Sequence, residues 1–227
     1  MKIVPASDSS LLIEFGNTIS RQAHGRVLAL FNALLAERDP RIRNLHPGYA
    51  SLLIDFDPRQ LSHEHLTEHL QKLIDAETGF KAAASRTVEI PVCYDAEFGP
   101  DLQDVATDTN LSVEEVVRLH ASATYLVYFL GFSPGFGYMG GLPEKLRTPR
   151  LATPRIRVLA GSVGIAGEQT GIYPVDSPGG WRLIGRTPVR MFDATANPPT
   201  RLQPGDVVRL APISRASYER MLNEKSA

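Results

Sequence analysis

One pattern of apolar positions occurs twice near the start of the chain. SLLIEFG at 10–16 returns as SLLIDFD at 51–57, a period of 41. Each copy follows a short β-like segment, KIVPA in the first case and IRNLH in the second, and each precedes an amphipathic helix. In the first helix Ile19, Ala23, Val27, Phe31 and Leu34 recur at helical spacing; in the second, Leu66, Leu70, Leu73 and Ile74 do, with Ser62 at the N-cap position. The pattern predicts a β-β-α unit used twice. Two such units can build one four-stranded antiparallel sheet with both helices on one face. The second unit ends near Gly79 and FKAAASR reads as a linker. The expected division is therefore a small α+β domain over 1–82 and a second domain over 86–227.

The second domain is patterned differently. TVEIPVCY (87–94) is strand-like, and DLQDVATDT (101–109) and SVEEVVRLHA (112–121) are short helices. Ser112 and Glu115 form a capping box, in which each side chain satisfies an amide that the helix start leaves open. TYLVYFLGF (124–132) is a strong strand. From there to Pro212, Gly and Pro recur too often for long helices. Short segments such as RVLAGSVGIAG, GIYP, WRLIGRTPVRMF and DVVRLAPI alternate with turn signals, which predicts a compact, mainly-β barrel. SRASYERMLNEK predicts a terminal helix.

Composition narrows the classes. An apolar fraction of 43% in 227 residues is ordinary for a globular protein with a real core. A net charge of -1 argues against bulk nucleic-acid binding. The single cysteine, Cys93, allows no intrachain disulfide and points to a reducing compartment. The N-terminus has no apolar stretch of signal length, and no run approaches the ~18 apolar residues of a membrane span. The expectation is a soluble, cytoplasmic protein that binds neither membrane nor nucleic acid.

Two strings imitate nucleotide motifs and fail on context. Gly135-Phe136-Gly137-Tyr138-Met139-Gly140 fits G-x-G-x-x-G, but GLPEKLRTPR follows where a dinucleotide fold needs a helix. Gly180 to Thr187 resembles a Walker A loop with Arg186 for lysine, but Pro188 and a β-like segment follow where the phosphate-binding helix should start. His65 and His69 have metal-compatible i,i+4 spacing, yet no third ligand is evident and the surrounding residues read as a solvated face, so no metal site is expected. Cys93 reads as a buried, inert thiol. His120 lies on the apolar face of its helix with Val113, Val116 and Val117, as a core histidine with a local partner or as a functional imidazole.

The arginines give the most informative pattern. From Lys145 to Arg190 the basic residues are Lys145, Arg147, Arg150, Arg155, Arg157, Arg182, Arg186 and Arg190, against only Glu168 and Asp176. Guanidinium matches carboxylate and phosphate, and glycine lets backbone amides approach an oxyanion. A solvated surface or a partner interface accounts for the same asymmetry.

GFSPGFGYMGGLP, TPRIRVLAGSVGIAGEQTGIYPVDSPGGWRLIGRTP and LQPGDVVRLAPI together resemble the family called KipI, or allophanate hydrolase subunit 1, in the branch that supplies the B component of bacterial 5-oxoprolinase. The resemblance spans nearly the whole chain and is most specific over 124–213. It implies a ββαββα, DCoH-like first domain and a cyclophilin-like barrel, without prolyl isomerase activity, because fold alone does not carry function. It implies two partners, the C and A components of 5-oxoprolinase, and a reaction that converts 5-oxo-L-proline, ATP and water to L-glutamate, ADP and phosphate. ATP is then a co-substrate of the complex, and the chain alone is expected to be inactive. Carried onto this sequence, the resemblance implies His120, Arg155 and Gln169 as catalytic residues, with Thr170, Tyr173, Gly135 and Arg186 binding substrate at the barrel mouth. Relatives in the family also imply two other roles: inhibition of a sporulation histidine kinase, and urea or allophanate metabolism.

Overall fold

The repeated pattern folds as ββα twice. In the computed structural model, which describes residues 1–76 and 86–224, the order is β1 (Lys2–Ser7), β2 (Ser10–Glu14), α1 (Arg21–Glu37), β3 (Ile42–Pro47), β4 (Ser51–Phe56) and α2 (His63–Ala76). The sheet runs β1-β2-β4-β3 and is antiparallel throughout. The two copies of the repeat, β2 and β4, pair with each other at its centre, Leu11 opposite Ile54 and Leu12 opposite Leu53. Strand alternation sends Leu11, Ile13, Leu52, Ile54 and Phe56 to one face, where they form one core with Val27, Leu30 and Leu34 of α1 and Leu66 and Leu70 of α2. Each such side chain contributes about 1.5–3 kcal/mol on burial.

One expectation for α1 is corrected. Ile19 is not on the helix: Ser20 is the N-cap, its side chain accepts the Ala23 N–H at 3.0 Å, and Ile19 stands outside the helix and exposed. Ser62 caps α2 by accepting the His65 N–H. Apart from Arg86, the expected linker lies outside the described residues.

The chain divides into two compact units, Met1–Ser85 and Arg86–Ala227. The second unit begins with β5 (Thr87–Val92), α3 (Leu102–Thr109), α4 (Val113–Ser122), β6 (Tyr125–Leu130) and β7 (Gly137–Gly140). After a 3₁₀ turn at Glu144–Leu146 come β8 (Arg155–Val158), β9 (Ser162–Ala166), β10 (Gln169–Ile172), β11 (Ser177–Gly179), β12 (Arg182–Arg186), β13 (Val207–Pro212) and α5 (Arg215–Asn223). Seven strands form one sheet in the order β12-β9-β10-β7-β6-β13-β5, and only β13 and β5 are parallel neighbours. Its two ends meet. Cys93, just beyond β5, bridges Arg186 at the end of β12, with N–H···O bonds of 2.8 and 2.9 Å in the two directions. The sheet is thus a nearly closed barrel. It is filled by Ile90, Val127, Met139, Val163, Ile165 and Ile184, with Val105 of α3 and Val116 of α4 packed into the same core. β8 and β11 form a separate two-stranded sheet.

Both imitation motifs are strand structure. G-x-G-x-x-G runs from the β6–β7 turn into β7, which is antiparallel to β6, and Gly180–Thr187 contains the whole of β12. Neither opens a helix, so neither presents amides to a phosphate in the manner of its namesake. Among the described residues no helix is long and apolar enough to cross a membrane, and no group of three or more His, Cys, Asp or Glu is placed to hold a metal ion.

Candidate functional site

Strand β10 organises the residues that the sequence singled out. Its side chains alternate, so Thr170 and Ile172 face the barrel interior while Gln169, Gly171 and Tyr173 face outward. Tyr173 continues the ladder beyond the strand: its N–H donates to the Ser162 carbonyl at 2.9 Å and its own carbonyl accepts from Gly161 at 2.7 Å.

On the interior side, α4 delivers His120. The Ser112–Glu115 capping box sets the start of the helix, and Val116 and His120, four residues apart, point inward together. His120 is 0% exposed. Its Nε2 lies 2.9 Å from the Thr170 hydroxyl and its Nδ1 lies 2.8 Å from the Tyr94 hydroxyl. The Thr170 hydroxyl donates its own proton to the Gly164 carbonyl at 3.0 Å, so toward His120 it can only accept. That assigns the imidazole proton to Nε2 and makes Nδ1 the acceptor for Tyr94. The Tyr125 hydroxyl donates to the His120 carbonyl at 2.7 Å. Burial pushes the His120 pKa down to about 3 and pushes those of Tyr94 and Tyr125 up. The unit Tyr94–His120–Thr170 is therefore neutral and fully paired, with His120 and Thr170 fully buried and Tyr94 partly so.

On the outward side lies a smaller apolar cluster of Phe136, Val158, Ala166, Tyr173, Trp181 and Leu183. Phe136 is its hub, meeting Tyr138, Tyr173 and Trp181 edge to face at 5.1, 5.2 and 5.4 Å. Phe132 reaches the rim of this cluster from a left-handed backbone at φ 66°, which a bulky side chain rarely adopts, and it is 62% exposed. The β8–β11 pair carries Gly179 opposite Arg155. Gly179 is required there, because a Cβ would overlap the Tyr173 hydroxyl. Burial raises the Tyr173 pKa, opposed by the Trp181 backbone amide and by the positive charge of Arg150 and Arg155.

Arg155 is anchored by Asp101, the residue before α3. One Asp101 oxygen accepts Arg155 Nη2 at 2.6 Å and the other accepts the Leu183 N–H at 2.6 Å. Asp101 is thus diverted from capping its own helix. Arg155 Nη1 is buried with no hydrogen-bond partner in the structure. Arg186 lies at the other end of β12, where its Nε donates to the Ala160 carbonyl at 2.9 Å. Arg155 and Arg186 share no hydrogen-bond partner. Gly135, at φ 86°, is buried in a tight turn where a Cβ would meet Phe192 Cβ at 2.9 Å and the Met191 carbonyl at 3.2 Å.

The single pocket mouth read from sequence is therefore divided in space. Arg155 and Tyr173 come together on the outer face, with Gln169 on the same face of β10. His120 and Thr170 come together on the inner face. Gly135 packs beside Pro174 at the edge of the outer cluster, and Arg186 lies near Gly161, whose N–H donates to the Tyr173 carbonyl. The basic excess between Lys145 and Arg190 is likewise balanced by acids from outside that window. Asp101, Asp104 and Asp108, at i, i+3 and i+7, pair with Arg155 and Arg182. Glu144 lies 3.6 Å from Arg147, and Asp193 lies 3.0 Å from Arg190. The sequence reading missed Asp101 and Tyr94. The carboxylate spacing along α3 was an available signal for the first. Nothing local marks the second.

Known proteins place this architecture. A family profile described as carboxyltransferase domain, subdomain C and D, matches residues 1–202. The chain is 39% identical to the 5-oxoprolinase B component of Bacillus subtilis over 236 residues, covering 99% of this chain and 98% of the relative. It is 42% identical to the 5-oxoprolinase B component of Haemophilus influenzae over 214 residues, covering 92% and 96%. The solved structure of TTHA0988 superposes with a TM-score of 0.82 at 41% identity and covers 90% of this chain; the chain spans only 40% of that longer protein. The protein belongs to the carboxyltransferase-domain C and D family, the KipI family. Within it, the relatives matched over nearly their full length are the B components of 5-oxoprolinases.

Proposed function

We propose that the chain is the B component of a multi-subunit 5-oxoprolinase that converts 5-oxo-L-proline, ATP and water to L-glutamate, ADP and phosphate. The observation that carries this reading is the end-to-end match to the B component of a 5-oxoprolinase at 39% identity. Its partners in the complex are the C and A components, and ATP is the co-substrate. The complex is placed in the cytoplasm, a reading supported by a lone buried thiol with no disulfide. The ββαββα order and the nearly closed barrel support reading the first unit as DCoH-like and the second as cyclophilin-like.

The chemistry sets what a site must supply. A five-membered lactam is a poor electrophile. Transfer of the γ-phosphoryl group to its amide oxygen activates the ring carbon; water adds there, the ring C–N bond breaks with the nitrogen leaving as a protonated amine, and a second water hydrolyses the resulting acyl phosphate to release phosphate. Donors must meet the phosphoryl oxygens and the tetrahedral oxyanion. On this chain we assign that role to Arg155, whose Nη1 is uncommitted while Asp101 fixes its other nitrogen. Gln169 hydrogen-bonds the lactam amide, Tyr173 forms the adjoining wall, and Arg186 supplies a second positive charge. Gly135 keeps the Gly-rich loop close enough to complete that wall. His120 acts as a hydrogen-bond donor from within: through Thr170 it positions β10, and hence Gln169, rather than moving a proton.

The test is 5-oxoproline-dependent ADP release by the complex reconstituted with the C and A components. Arg155→Ala and Gln169→Ala should each lower turnover at least about tenfold, the scale of one lost charged or oriented hydrogen bond, with co-purification intact. Full activity in both variants would overturn the site assignment. Loss of co-purification before any loss of chemistry would instead make these residues part of a seam between components.

A further inference from the structure

The loop between β12 and β13 borders a half-open cavity of about 300 Å³ that the proposed reaction does not use. Its lining includes Arg86, Arg190, Arg201 and the acidic Asp193 alongside Met191, Pro198 and Pro199. The loop is a pinned hairpin. Arg201 N–H donates to the Met191 carbonyl at 2.9 Å and Asp193 N–H donates to the Pro199 carbonyl at 2.8 Å. Arg86 Nη2 donates to the Arg201 carbonyl at 2.9 Å, so the Arg201 backbone is held from both sides.

The three guanidinium groups are not equivalent. Arg86 is paired with Asp206, whose carboxylate also accepts the Gln203 N–H at 2.8 Å. Arg190 is paired with Asp193 at 3.0 Å, and that carboxylate also accepts the Thr195 N–H and hydroxyl at 3.0 and 2.7 Å. Both aspartates are thus held by other donors. Among the described residues Arg201 has no acidic partner, so the cavity carries one uncompensated positive charge. Its remaining walls mix the apolar Met191, Pro198 and Pro199 with Thr200 and the Arg190-paired Asp193. A monoanion balances that charge, whereas a dianion would leave one negative charge unmatched in a half-enclosed space.

We infer that this cavity is a binding site for a small monocarboxylate whose body is apolar or a flat ring, with Arg201 receiving the carboxylate and Met191, Pro198 and Pro199 flanking the rest. Pockets of this size take small ligands on mostly apolar walls with a few placed polar groups. The inference stands on the charge and the walls and does not depend on the reaction proposed above.

The experiment titrates the full chain with cyclopentanecarboxylate, followed by amide chemical shifts, with neutral cyclopentanecarboxamide and inorganic phosphate as contrasting probes at matched ionic strength. The carboxylate should bind saturably, with shifts concentrated in residues 190–206 and at Arg86. Arg201→Ala should weaken binding at least about tenfold, the loss expected for one charge-assisted pair. Arg209→Ala, at an exposed position outside the cavity lining, should leave it unchanged. Equal binding of the carboxamide, unchanged binding by Arg201→Ala, tighter binding of phosphate, or no saturable binding would each overturn the inference.

Discussion

His120 shows how one residue can be prominent in sequence and silent in titration. Its folded pKa of about 3 lies below the value of about 6.5 for an unperturbed imidazole. As the pH falls, the unfolded chain therefore takes up the proton first. The stability tied to this group is complete above about pH 6.5 and is lost as the pH falls toward its folded value, by up to about 1.4 kcal/mol per pH unit. Imidazole nitrogen spectra should show a single Nε2–H tautomer for His120, unchanged from pH 8 to 5; a midpoint near 6.5 would refute the buried, neutral assignment. Thr170→Val, which removes the acceptor of that proton, should cost about 1–3 kcal/mol in urea unfolding. Gly179→Ala should cost a similar amount, about 1–3 kcal/mol, because its methyl group must displace the Tyr173 hydroxyl or the strand beneath it.

At the scale of elements, α3 carries more than its length suggests. Its leading residue, Asp101, joins β12 through the Leu183 amide and β8 through Arg155. Asp101→Ala leaves a half-buried guanidinium and a buried amide without partners, and should destabilise by about 3 kcal/mol or more. Asp101→Asn, which keeps an acceptor, should lose less, and urea denaturation of the two variants decides. The elements themselves were largely readable in the sequence. The 41-residue repeat, the capping box, the strand ending at Leu130 and the terminal helix all rest on local patterns, and local patterns survive folding. The outward cluster around Phe136 was not readable, since Phe136, Tyr173 and Trp181 lie just outside strands β7, β10 and β12 and meet Val158 of β8 only in the folded chain. The site suffered for the same reason. Neighbours in sequence such as Gln169 and Thr170 sit on opposite sides of one strand, and the arginines were counted without the α3 carboxylates that meet them from about fifty or more residues away.

At the scale of the whole molecule, the proposed reaction belongs to a complex. Purified alone, the chain should release no ADP in response to 5-oxoproline, and robust turnover would refute a site that needs the C and A components. The two units also differ in how they present backbone to the outside. In the barrel, the Cys93–Arg186 bridge lets the end strands satisfy each other, leaving little free hydrogen-bonding edge. The N-terminal sheet is open, and its outer strands are β1 and β3. Pro5 removes a donor from β1, and a register shift between Ile42 and Asn44 breaks the ladder of β3. These interruptions make each margin a poor template for a foreign strand. The barrel resists cross-β assembly by closing on itself, while the open sheet resists it through irregular borders, so regularising those borders is the change most apt to turn this protein into a fibril seed.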